Sequence, residues 1–424
     1  MVGPVSAMGR NLVICADGTG NAYVGSPSNA ARIVDMLAMG DEKHQVVAYD
    51  QGIGTDSTSW RELKERQSTD AALKPLRVLP GPHESWFAPA RYGSLVRGLV
   101  WGAGLRENVQ QMYEWLAEQH PNECDRLYLF GFSRGAFTVR VLAGLLFRCG
   151  LPAARHTPPA GDFDEAWTLY KSMRIDDHEK RQFWQRQGFE RRKCRVTFLG
   201  LWDTVKSYGG LRPVLLPHLR HNPIVGTVCH ALALDERRGW FDATSWGWTD
   251  HDRGLDAEPG STDYAAARLD RHTIASLSRQ KVTEVWFTGS HSDVGGGGCS
   301  VATSNIALTW MLAEAAIAGI ALSPRGEQRL RDCAEDGAPQ PTDWHGWGWR
   351  LSECLPRRAI ENEHQWPTTK ARVFGPAERC PRKVLRGGLV ALHTSARVLA
   401  GDASIRRVAT RWQEALAVAK ESGP

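Results

Sequence analysis

The chain has 424 residues, 42% hydrophobic and 23% charged, enough for one large core or two ordinary domains of a soluble globular protein. A formal net charge of +5 and a pI near 8.7 do not make nucleic acid the expected partner. The first ten residues lack the apolar run of a signal peptide, and no stretch approaches 18 uninterrupted apolar residues. The expectation is a chain that is cytoplasmic in the cell that makes it.

Leu12–Ala16, in "RNLVICADGTGN", is a short apolar run ending in a polar, glycine-rich break, as a buried strand would. Asn29–Met39 is helix-like, and "QVVAYDQGIGT" repeats the strand pattern at Val46–Tyr49. This β-loop-α-β rhythm predicts a parallel sheet. Asp56–Ala90 interrupts it with four prolines and polar sequence, and reads as an insertion or surface loop. "GLRENVQQMYEWLAEQH" returns to an amphipathic helix, Leu127–Phe130 is a third strand, and Gly135–Phe147 is a helix rich in small residues. "CRVTFLGLWDTV" predicts a fourth strand ending at Asp203, and "VTEVWFTGSHSDVGGGG" a fifth ending near Gly289. The apolar helix "NIALTWMLAEAAIAGI" follows. The expected fold class is α/β, mostly parallel, with helices on both faces and the site at the carboxyl ends of the strands.

Residues 151–193 are charged and helix-prone, with Trp167, Tyr170, Phe183, Trp184 and Phe189 interleaved. They read either as a helical cap over the site or as a solvated helical pair that only decorates the sheet. The predicted division is a catalytic domain over 1–323 and a helical or irregular extension over 324–424, packed on it. The arginines of that extension carry no nucleic-acid motif and suit a solvated face or peripheral contact with anionic lipid headgroups. Nine scattered cysteines without C-x-x-C spacing argue against a zinc cluster and for reduced thiols.

The chemistry centres on "LYLFGFSRGAFTV". Gly131-Phe132-Ser133-Arg134-Gly135 has the form G-x-S-x-G, which chance alone supplies roughly 0.2–0.3 times in a chain this glycine-rich. Its position between a strand and a helix is the stronger signal, because a nucleophilic serine needs that strained turn. Gly131 and Gly135 sit where side chains would collide with strand and helix. A serine hydroxyl needs a base and a carboxylate to orient that base. His291 ranks first among the 14 histidines because it ends a strand beside a glycine-rich loop. His230, in "VCHALALDERR", reads as lying inside a helix, and His393 lies near the C terminus. Asp203, at the end of the strand after the serine unit, ranks above Asp293, which suits a cap or loop brace. Asp235 sits with Glu236 and Arg237 and suits ion pairs. The oxyanion donors are expected from the amide of Arg134 and from Gly18 or Thr19, with Asp17 bracing that loop. No metal or cofactor is required.

Together "CADGTGN", "YDQGIGT", "LYLFGFSRGAF", "GLWDTV", "HALALDERR", "WFTGSHSDVGGG" and "LHTSARVL" resemble, in order, the DUF2235 α/β-hydrolase family. That family includes catalytic domains of type VI secretion phospholipase effectors of the first lipase class. The resemblance implies an α/β-hydrolase fold and hydrolysis of carboxylic esters, phospholipid acyl esters among them. It carries nucleophile, acid and base to Ser133, Asp203 and His291. For an exported effector it also implies the secretion machinery and an immunity protein as partners. Two other readings remain. A metal-dependent phosphohydrolase would use Asp17, Asp50, His291 and Asp293, but "ICADGTG" lacks the second aspartate of an aspartyl phosphatase. A non-catalytic binding protein on a hydrolase scaffold would show a broken triad.

Overall fold

The computed structural model describes residues 9–18, 27–52, 57–79, 103–119, 121–122, 124–152, 162–172, 191–192, 194–205, 216–219, 222–236, 241, 244, 246, 279–298 and 301–332, with the strand pairs 357–358, 372–373 and 391–392. The strands are β1 (Asn11–Ala16), β2 (Gln45–Asp50), β3 (Arg77–Leu79), β4 (Arg126–Phe132), β5 (Leu151–Pro152), β6 (Arg191–Arg192), β7 (Val196–Trp202), β8 (Val225–Ala233), β9 (Lys281–Phe287), β10 (Arg357–Arg358), β11 (Arg372–Val373) and β12 (Ala391–Leu392). The helices are α1 (Asn29–Val34), α2 (Ser57–Thr69), α3 (Ala103–Glu118), α4 (Arg134–Cys149), α5 (Asp162–Lys171), α6 (His291–Gly295), α7 (Val301–Ile317) and α8 (Pro324–Arg331).

Eight strands form one sheet in the order β12-β9-β8-β7-β4-β1-β2-β3, parallel at every pairing. The fold is α/β with a parallel sheet, as the alternation of strand and helix signals requires. Each face of β1 meets a different core. Leu12, Ile14 and Ala16 join the cluster formed with α3 and α4, while Val13 and Cys15 join the one formed with α1 and α7. A strand covered on both faces reads as a continuous apolar run, which explains "LVICA". The chain turns one way from β1 to β2 and β3, and the other way from β4 to β7, β8 and β9. The crevice between β1 and β4 is therefore the topological switch point, where α/β sheets place their sites.

Three expectations change. "VCHALA" is strand β8, so His230 lies on a strand and not in a helix. A short buried apolar run has no period that separates the two. Residues 57–79, expected as loop, carry α2, a 3₁₀ turn at Ala71–Leu73 and the edge strand β3, paired to β2 through Tyr49↔Val78. Residues 80–90 lie outside the described residues.

The third change concerns the cap. Its described helix, α5, packs on the far half of α4. Cys149 Sγ lies 3.3 Å from the Ala166 carbonyl, and Tyr170 lies against Gly144 while its hydroxyl donates to the Pro217 carbonyl. Gly144 is eleven residues along α4 from Ser133, roughly 16 Å. Phe163, Trp167 and Tyr170 are buried in the core. Trp167 is thus a core residue and not part of a mobile cover. Phe183, Trp184 and Phe189 lie outside the described residues.

Candidate active site

The strand β4 ends in Phe132, and α4 begins at Arg134, so Ser133 alone makes the turn. Its φ is +57° and ψ −117°. This conformation is strained for a residue with a Cβ, at about 1–3 kcal/mol. It lifts the side chain clear of both elements. The turn is possible because its flanks are glycine. A Cβ at Gly131 would stand 2.6 Å from the Ala136 backbone, and one at Gly135 would stand 2.3 Å from the Ala16 carbonyl. Helix α4 therefore starts in direct contact with the end of β1.

The hydroxyl of Ser133 donates to His291 Nε2 at 2.8 Å, and His291 Nδ1–H donates to Asp203 Oδ2 at 2.6 Å. Asp203 is fully buried, and His291 and Ser133 are 4% and 5% exposed, so the line of three side chains lies almost wholly out of water. Asp203 also has positive φ, +40°. Its N–H donates to the Ala231 carbonyl at 2.8 Å, and its Oδ1 accepts the Ala233 N–H at 3.0 Å. Strand β8 thus fixes both backbone and carboxylate of that strained residue. Two of the three non-glycine residues with positive φ among the described residues belong to this site.

His291 opens the short helix α6. Asp293 accepts the N–H and hydroxyl of Ser290, both at 2.9 Å, capping that helix. The imidazole is held between aromatic rings, 4.6 Å from Phe132 and 4.9 Å from Phe241, centroid to centroid. Two residues read as ion-pair formers reach into this loop. Asp235 Oδ2 accepts the Gly289 N–H at 2.7 Å, and the buried Glu236 accepts the His291 N–H at 3.1 Å. Sequence reasoning missed this role. Nothing within the segment signals it, because "VCHALA" carries these carboxylates to the sheet edge only as a strand, which its own residues do not distinguish from a helix.

Asp17 accepts the Tyr49 hydroxyl at 2.8 Å and the Gly18 N–H at 2.7 Å, bracing the loop after β1. The Gly18 amide is therefore turned to Asp17 in this conformation. Thr19 lies outside the described residues. The Arg134 N–H sits at the first position of α4, beside the serine. Asp50, one strand over, accepts Asn108 Nδ2 at 2.8 Å. Burial, with the charge of Asp17 adding to it, pushes its carboxyl up to about 7. Each side chain the metal reading needs has such a partner. Among the described residues no three His, Cys, Asp or Glu groups are arranged to hold a metal ion. His393 lies outside the described residues. No described helix is long and apolar enough to cross a membrane.

His230 stands apart from the serine. Its Nδ1 lies 2.9 Å from Glu284 on β9, and its Nε2 accepts the Thr204 N–H at 3.2 Å. Burial lowers its pKa, opposed by the Glu284 contact.

The parallel sheet thus brings together a serine on a strand-to-helix turn, a histidine against it and a buried aspartate behind, the arrangement that nucleophilic attack by a serine hydroxyl requires. The chain belongs to the family described as T6SS, phospholipase effector Tle1-like, catalytic domain, whose model matches residues 10–314. An uncharacterized Saccharomyces cerevisiae protein is 31% identical over 245 residues, which make up 56% of this chain and 32% of that protein. An uncharacterized Pseudomonas aeruginosa protein of known structure is 18% identical, with TM-score 0.37, covering 77% of this chain and 50% of the other. The Tle1 effector, solved bound to the VgrG spike of the type 6 secretion system, is 18% identical with TM-score 0.31, covering 70% and 53%. The chain thus spans about a third of the curated relative and about half of each solved chain.

Proposed function

We propose that the protein is a serine esterase in which Ser133 is nucleophile, His291 general base and Asp203 the acid that orients it. The observation that supports this most is the buried line Ser133–His291–Asp203, with contacts of 2.8 and 2.6 Å. In the proposed reaction the Ser133 hydroxyl attacks the ester carbonyl while His291 Nε2 takes its proton. The imidazolium is stabilised by Asp203. The oxyanion is met by the Arg134 N–H and a second amide from the loop after β1, Gly18 or Thr19. For Gly18 to serve, its N–H must leave Asp17. His291 then gives its proton to the departing alkoxide, which leaves an acyl-serine and an alcohol. Water, deprotonated by His291, cleaves the acyl-serine and restores the hydroxyl.

Phospholipid acyl esters are the substrate class that the family and the motif order resembling DUF2235 favour. Residues 1–323 are proposed as the catalytic unit and 324–424 as an extension packed on it. Export through a type VI apparatus, with its spike and an immunity protein as partners, is the reading for delivery. Peripheral membrane contact follows from a lipid substrate. The test is a panel of p-nitrophenyl esters and defined phospholipids, run on wild type and Ser133→Ala, with a fluorophosphonate probe to label the serine. Turnover and labelling in wild type alone support the reading. A folded Ser133→Ala protein with full turnover overturns it.

A further inference from the structure

We infer that His230 is a positioning residue, whose imidazole holds the turn carrying Asp203 and so sets the carboxylate against His291. This deepens the proposed function and rests on it.

His230 sits at the middle of a cross-strand line. In the sheet register it stands between Leu201 on β7 and Glu284 on β9, and it is wholly buried. The Thr204 backbone N–H points at His230 Nε2 from 3.2 Å, and the Thr204 hydroxyl lies 3.1 Å from the same nitrogen. A backbone N–H can only donate, so Nε2 is the acceptor and carries no proton. The ring proton is therefore on Nδ1, which donates to Glu284 Oε1 at 2.9 Å. Glu284 Oε1 is fixed in turn by the Trp246 N–H at 2.6 Å. Other charged groups around the imidazole are Arg140, from α4, and Asp203 itself. Arg140 is also fully buried, donating to the Leu219 and Thr244 carbonyls and lying over the Trp246 ring. The neutral tautomer is thus specified from both sides of the ring.

The reason for such a device lies one residue back from Thr204. Asp203 has φ +40°, a left-handed conformation that costs a residue with a Cβ free energy, though aspartate less than most. Leaving β7 in that conformation turns the Thr204 N–H inward, away from water. An unmet buried N–H is strongly disfavoured, so without His230 the turn would relax. Asp203 would then lose its bond to His291, since its carboxylate moves with its backbone. The neighbouring main-chain acceptor on β8, the Ala231 carbonyl, already takes the Asp203 N–H. His230 supplies a side-chain acceptor from the same strand.

The experiment compares His230→Leu and His230→Gln with wild type and Ser133→Ala on p-nitrophenyl butyrate across pH. Leucine is apolar and offers no acceptor, whereas glutamine restores an acceptor near the position of Nε2. Expected for His230→Leu is a kcat reduced on the order of a hundredfold, an unchanged KM, and an acid limb of kcat/KM moved to lower pH because His291 has a weaker carboxylate behind it. His230→Gln recovers most of kcat and returns the limb. A ¹⁵N NMR spectrum of the wild-type histidines gives a readout independent of variant folding. It should show one ring unprotonated at Nε2 and protonated at Nδ1, assigned by its loss in His230→Gln. The inference is overturned by a folded His230→Leu with wild-type kcat and pH profile, by leucine and glutamine variants impaired alike, or by a His230 ring protonated at Nε2. If Ser133→Ala keeps its turnover, the triad reading falls whatever the His230 variants do.

Discussion

Two histidine–carboxylate pairs lie at the same end of the sheet, and they serve opposite ends. In His291–Asp203 the second nitrogen, Nε2, faces a serine hydroxyl at 2.8 Å. In His230–Glu284 the free nitrogen faces a backbone N–H, at 3.2 Å. The first pair sits past the ends of its strands, with Asp203 following β7 and His291 opening the helix capped by Ser290. The second sits within strands β8 and β9, with Leu201 on β7 as the register neighbour beyond His230. The same pair of groups can thus present a reactive nitrogen or anchor a turn, and the partner of the second nitrogen decides which. A hydroxyl has a proton to give up, whereas an amide has one only to share.

That contrast can be broken at several points. The largest effect is expected at the serine. Ser133→Ala should lower ester turnover on the order of 10⁴-fold or more with a near-unchanged melting temperature, measured by single-turnover kinetics and calorimetry. His291→Ala should come close to this, and the Ser133/His291 double variant should be little worse than either. Asp203→Asn should be severe but milder. If the two pairs differ in role, His230→Leu should fall between these and wild type, as set out above. A smaller loss, about tenfold, is expected for Glu236→Ala, because it frees the His291 N–H without touching the ring. Trp167→Ala should leave kcat per folded molecule on short esters intact and reduce stability by ~3 kcal/mol, as for a buried indole in denaturant melts.

The mildest arm concerns Asp50, at the end of β2. The Asp50 carboxyl is raised from 3.8 to about 7 by burial and by Asp17. Between those values the folded state holds a proton that the unfolded chain releases. Stability should therefore decline as pH rises from about 4 to 7 and level off above. Asp50→Asn should flatten that slope in thermal melts, and an unchanged slope would rule Asp50 out as its source.

The legible parts of the molecule were those where one short segment carries the whole constraint. Gly131, Ser133 and Gly135 fall within five consecutive residues, and the collision Gly131 avoids, with the Ala136 backbone, is local, while Gly135 makes room for the end of β1. The placement of Asp203 and His291 at strand ends follows from the same logic, because a doubly wound sheet brings successive strand ends to one edge. What could not be read depends on pairing across distant segments. Nothing within "VCHALALDERR" separates a buried strand from a buried helix, and only the neighbours β7 and β9 decide it. The tasks of Asp235 and Glu236 arise from amides more than fifty residues away. In sequence the aromatics of α5 alternate with charges, which suits a cover or a solvated helix as well as a buried one. Its actual partners, Ala166 to Cys149 and Tyr170 to Pro217, lie on other elements.

The outer margin of the sheet has a consequence for handling the protein. Strand β9 is paired on one side by β8 and on the other by Ala391–Leu392, more than a hundred residues later in the chain. Those two residues occupy backbone positions that a neighbouring molecule could otherwise take. A strand bearing Val282, Val285, Trp286 and Phe287 with its donors and acceptors unclaimed is a template for intermolecular pairing. Ala391 and Leu392 thus cover Val285 and Trp286 on that edge. A chain cut after Arg331 would keep every residue of the serine site, yet would be expected to lose molecules to β-rich precipitate as its concentration rises.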